Sequence, residues 1–188
     1  MKKYGLSILF LTALLINVRG GEIIVNDNAC CGEREASAAM PTYEQIKTLW
    51  EQIANVSITN DNMTSLAQTI PGLAFLTFDV QKDVELEGGE HGDLYDVYFG
   101  INIDSVRSTE TEVFFSASQP HACGIALPYG YSDSGFSVYF KDRADAENYL
   151  SQLKQSKEVQ SEDYGTEGIK SENGWYCVSL VDSWLLDM

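Results

Sequence analysis

Apolar residues recur with a helical period in three stretches of this chain, and between the second and third they alternate with a period of two. That order constrains the fold more than any other feature. Thr42 and Gln45 have the spacing of a capping box, and Tyr43, Ile46, Trp50 and Ile53 follow on one helical face up to about Asn55. A second, shorter helix is expected after the Asn60-Asp61-Asn62 cluster, using Met63, Leu66, Ala67 and Ile70, with Pro71-Gly72 as its stop. The third spans about Arg143 to Lys154, capped by Asp142, with Ala146, Tyr149, Leu150 and Leu153 as its apolar stripe.

The intervening segments read as strands. Leu73 to Val80 carries Ala74, Leu76, Phe78 and Val80 on one side, and Leu94 to Ile101 carries Tyr95, Val97, Phe99 and Ile101. Glu112 to Ala117, Ala122 to Leu127 and Gly135 to Lys141 continue the series, the last with Phe136, Val138 and Phe140 inward and Tyr139 outward. Near the C-terminus, Asn173-Gly174 is the pair favoured by a type I′ hairpin turn, flanked by Gly168 to Glu172 and Trp175 to Val181. Two helices first, then strands, one helix and a terminal β-hairpin predict an α+β fold. Its sheet is expected to be mainly antiparallel, with the helices packed on one face.

Ahead of this pattern, Lys2 and Lys3 precede a largely apolar run from Leu6 to Ile16, and Val18-Arg19-Gly20 offers residues that a signal peptidase reads. At about eleven residues the run is shorter than the roughly 20 a membrane span needs. The expected organisation is a signal peptide over 1–20, an extension over 21–40 and one α+β domain over 41–188. The mature chain is then secreted or periplasmic. Polar residues before Cys30 do not resemble a lipoprotein signal.

Three of the twelve Lys and Arg residues and none of the 28 acids leave with the signal, which takes the formal charge from −16 to −19. A polyanion of this strength repels nucleic acid and anionic lipid and favours encounter with a basic protein or a cationic ligand. In an oxidising compartment, Cys30, Cys31, Cys123 and Cys177 are disulfide candidates. Adjacent cysteines rarely join each other, so Cys30 and Cys31 are expected to reach separately to Cys123 and Cys177, tying the extension down. The alternative is one bridge and two thiols.

Three constellations carry chemistry. His121 and Cys123 alternate, as on a strand, so both could face one zinc or copper ion. Asp83, Glu85 and Glu87 alternate ahead of Gly88 in a partial calcium-loop pattern that lacks an acid at its twelfth position, Leu94. The segment from Pro128 to Gly135 reads as a loop in which Tyr129, Tyr131 and Asp133 offer rigid contact area for a partner. No hydrolase elbow, metalloprotease helix motif or phosphate-binding glycine loop is present. The leading expectation is an exported, non-enzymatic binding module of the inhibitor or immunity-like kind, directed at a basic partner. The alternatives are a secreted hydrolase with acidic catalytic residues dispersed over several strands, or a metal-binding protein using His121 and Cys123.

Overall fold

The computed structural model describes residues 39–85, 89–109, 112–130 and 135–183. The expected signal peptide and Cys30, Cys31, Glu87, Tyr131 and Asp133 lie outside them. The first helix, α1 (Tyr43–Ile53), begins at the expected capping box: Gln45 N donates to Thr42 Oγ1 at 3.3 Å, and Thr42 N to Gln45 Oε1 at 2.9 Å. It buries Tyr43, Ile46, Leu49 and Ile53, leaving Trp50 half-buried at the margin of the stripe. The second, α2 (Asn60–Ala67), starts earlier than the sequence predicts. Thr59 is its cap, accepting from Asn62 N at 3.2 Å, so the Asn60-Asp61-Asn62 cluster forms the first turn and Asp61 meets the positive end of the helix dipole.

The strands follow as β1 (Ala74–Glu85), β2 (His91–Ile101), β3 (Ser105–Ser108), β4 (Val113–Ser116), β5 (Cys123–Tyr129) and β6 (Phe136–Phe140). Then come α3 (Arg143–Lys154), α4 (Lys157–Gln160), β7 (Tyr164–Gly165), β8 (Ile169–Glu172) and β9 (Trp175–Asp182). Among the described residues these make an α+β structure with four helices and a seven-stranded sheet in the order β1-β2-β5-β6-β9-β7, β8 also pairing with β9. All its pairings are antiparallel. The Asn173-Gly174 turn has the two positive φ values, 50° and 78°, of a type I′ turn. The segment around Val113 and Phe115 does not join this sheet. It pairs with β3 as a separate two-stranded ribbon inserted between β2 and β5.

Strand alternation divides the side chains between two faces. On the first, Val97, Phe99 and Ile101 of β2, Ile125 and Leu127 of β5, Val138 and Phe140 of β6 and Val178 and Leu180 of β9 share a core with the apolar stripes of α1, α2 and α3. On the second, Leu76, Tyr98, Ile103, Val106, Phe115, Ala122 and Trp175 form a smaller core under the ribbon. The single expected face of β1 is split between them, because the register shifts between Phe75 and Thr77. Ala74 and Leu76 therefore pack in the ribbon core, and Phe78 in the helix core. An extra residue in one strand of a pair exchanges its faces beyond that point.

The ribbon lies close because Gly100 and Gly124 are cross-strand partners on the second face. A Cβ on Gly124 would come within 2.6 Å of the Phe115 ring, and one on Gly100 would strike Ile103. Two absent side chains thus make the hollow that receives the ribbon. Gly124→Ala is expected to lower stability by about 1–3 kcal/mol through overpacking against Phe115. Phe115→Leu in the same chain should recover part of that loss, as measured by urea denaturation.

Candidate functional site

The second face is only partly covered by the ribbon, and the residues beyond it line an open cleft of ≈ 210 Å³. Its floor follows from the register. Ala126 of β5 lies opposite Tyr98 of β2 and Ser137 of β6, while Tyr139 of β6 lies opposite Gly124. A short side chain is therefore flanked by two tyrosines. Behind them Phe115 stands 6.5 Å from the Tyr98 ring and 5.3 Å from that of Tyr139, fixing both from the ribbon side.

Three carboxylates reach the cleft from separate elements: Asp96 from β2, Glu112 from the ribbon turn and Glu172 from the end of β8. The ribbon turn is set by Thr109, whose backbone N donates to Glu112 O at 2.8 Å and whose Oγ1 accepts from Glu112 N at 3.1 Å. No lysine or arginine is among the described residues lining the cleft. Asp96 also faces Asp79 across the β1–β2 pair, a like-charge placement that costs stability. The Ser108 hydroxyl donates to the Asp79 carboxylate, joining ribbon and sheet at that point. Burial, Cys177 and Glu172 all push the Tyr139 phenol above its ordinary range, so it remains a neutral hydroxyl beside the carboxylates. Chemically the cleft offers hydrogen-bond acceptors, phenol groups and negative charge. It suits a cation.

Among the described residues, none of those singled out in the sequence lines it. Tyr129 is the last residue of β5, not a loop residue, and faces the helix core half-buried, its ring 6.1 Å from that of Tyr95. Tyr95 in turn stands 6.0 Å from Phe78, so Tyr129 closes an aromatic row across three strands. Asp83 and Glu85 belong to β1, which runs further than expected. Asp83 has a positive φ of 54°, and its carboxylate lies 3.0 Å from His91 Nδ1. Lys82 pairs with Asp93 at 2.7 Å, so these charges cross-link the β1–β2 arm.

His121 precedes β5, and its Nδ1 is 3.0 Å from Asp145 Oδ2 in the first turn of α3. Cys123 is wholly buried in the helix core. Burial, and to a lesser degree Asp145, push its thiol well above the ordinary range, away from the thiolate that binds metal. Among the described residues, no group of three or more His, Cys, Asp and Glu is placed to hold a metal ion. Cys177 lies on the other face, opposite Tyr139 and 3.6 Å from Ser179 Oγ.

The fold and the cleft define an antiparallel α+β protein with an acidic, tyrosine-walled recess on one sheet face. Comparison with known protein families, with curated proteins and with solved structures gives no match. Among the described residues no helix is long and apolar enough to cross a membrane.

The His121–Asp145 pair has a pH signature. The hydrogen bond and charge of Asp145 raise the imidazole pKa above 6.5 in the folded chain. Folding then binds the proton more tightly, so the pair's stabilisation is full below about pH 6.5 and is lost as pH rises through the folded pKa. The melting-temperature gap between the wild type and His121→Gln should accordingly be widest in mild acid and close toward alkaline pH. An NMR titration of the His121 ring should report a midpoint above 6.5.

Proposed function

We propose that this chain is an exported binding protein whose acidic cleft receives a basic side chain of a protein partner. The observation that carries the reading is the convergence of Asp96, Glu112 and Glu172, from three separate elements, around a hollow walled by Tyr98 and Tyr139. A guanidinium group presents five donors in a planar fork and stacks on aromatic faces, which matches carboxylates spread around phenol rings. The part of the second face that the ribbon leaves uncovered is open to a partner. The formal charge of −19 expected after signal removal would steer a basic protein toward the cleft from a distance, more strongly at low salt.

The competing readings find less support. Hydrolysis by paired carboxylates calls for an acid and a base whose environments push their pKa values apart. This cleft opens to solvent, and its three acids come from separate elements. The metal reading needs His121 and Cys123 to converge, whereas His121 engages Asp145 and Cys123 is sealed in the core.

A titration of isotope-labelled protein with a short arginine-containing peptide, beside the same peptide carrying citrulline, tests the proposal. Amide shifts should concentrate at Tyr98, Ala126, Tyr139 and Glu172 with the arginine peptide and vanish with citrulline. Glu112→Gln and Glu172→Gln should each weaken binding roughly two- to fivefold, in keeping with exposed ion pairs worth about 0.4–1 kcal/mol. Shifts spread evenly over the acidic surface, or equal for both peptides, would sink the idea.

A further inference from the structure

We infer that Cys123 stays a thiol in the folded chain, so that the four cysteines make one intrachain disulfide at most. All three ways of forming two bridges from four cysteines include Cys123, so its environment decides them together. Its relative exposure is 0 %. Within the sheet it lies between Ile101 of β2 and Phe140 of β6, and the core it shares includes Ala146, Tyr149 and Leu153 of α3. A disulfide would bring a second Cα within about 4.4–6.8 Å of that of Cys123. Ala146, Tyr149 and Leu153 belong to the close-packed core around Cys123, so a partner cysteine could reach it only by displacing such side chains.

The pairing with Cys177 is closed by the sheet itself. β6 lies between β5 and β9, which sets the two cysteines apart by about two strand spacings, roughly 9.6 Å. That exceeds the 7 Å beyond which two cysteines cannot be bridged without moving the backbone. Their side chains also leave opposite faces, Cys123 into the helix core and Cys177 beside Tyr139 and Ser179.

The same division defeats the pairing expected from the sequence. Cys30 and Cys31 are consecutive, with Cα atoms about 3.8 Å apart. One dipeptide would have to serve both sides of an unbroken antiparallel sheet. Removing Cys123 leaves an odd number of cysteines, so a single bridge leaves one further thiol among Cys30, Cys31 and Cys177. The inference rests on the sheet and the core, and it stands whether or not the cleft binds a basic partner.

Stepwise alkylation of the full chain, purified under oxidising conditions without reductant, tests it. One reagent is applied to the folded protein, an isotopically heavier one after unfolding in guanidinium, and a third after reduction, followed by peptide mapping. Cys123 should take up the second label, reacting on the order of a hundredfold or more slowly before unfolding than after it. Labelling of Cys123 only after reduction, or a disulfide-linked peptide that contains it, overturns the inference. Cys123→Ala should leave the disulfide map unchanged. Should that variant fail to fold, the wild-type map still decides the question.

Discussion

Strands β2 and β5 each serve two cores at once, and the rest of the molecule is arranged around that division. Their odd-numbered residues, Val97, Phe99 and Ile101 with Cys123, Ile125 and Leu127, supply the sheet side of the helix core. Their even-numbered residues alternate between bulk and absence: Tyr98 packs under the ribbon, while Gly100 and Gly124 let Ile103 and Phe115 approach the backbone. A slip of one residue in the β2–β5 register would exchange the two sets and cost both cores together. The helices and the ribbon thus dock on surfaces that one pair of strands defines.

The cleft arises where the ribbon core ends. Phe115 secures Tyr98 and Tyr139 from behind, Ala126 leaves the floor low, and acidic residues from three elements line the hollow. The acids are carried there by separate elements, at the margin of the apolar cluster under the ribbon. The ion pairs elsewhere, Lys82 with Asp93 and His121 with Asp145, tie neighbouring elements together at exposed positions.

Much of the architecture was legible from residue pattern because it is local. The Thr42 capping box, the Asp142 cap and the Asn173-Gly174 turn each depend on residues within a few positions of one another. The ribbon was not legible in the same way. Val113 and Phe115 alternate as a strand should, but nothing nearby indicates that their partner is the short Ser105–Ser108 segment and not the main sheet. The bulge between Phe75 and Thr77 was equally hidden, since a shift in register depends on the opposing strand. The short helix α4 escaped notice because it is a single turn, held by the Ser156 cap and by Glu158, which accepts from Tyr43 Oη at 3.0 Å and pairs with Lys47. Partial burial alone would raise the Glu158 carboxyl, but its own backbone N–H, Tyr43 and Lys47 outweigh that and hold it below the usual carboxylate range.

The candidate site divides along the same line. Composition by itself determined that the chain is strongly acidic, with a formal charge of −16, because net charge is a sum that no fold can alter. Periodicity determined the class of fold, since helix and strand impose different spacings on the residues that must be buried. Which acids stand together was decided only in three dimensions. Asp96, Glu112 and Glu172 are far apart in the chain and meet because antiparallel pairing carries β2, the ribbon and the terminal hairpin to one face. The placement of Cys123 and Cys177 was decided there too, for their spacing in the sequence carries no information about which side of the sheet each side chain will face.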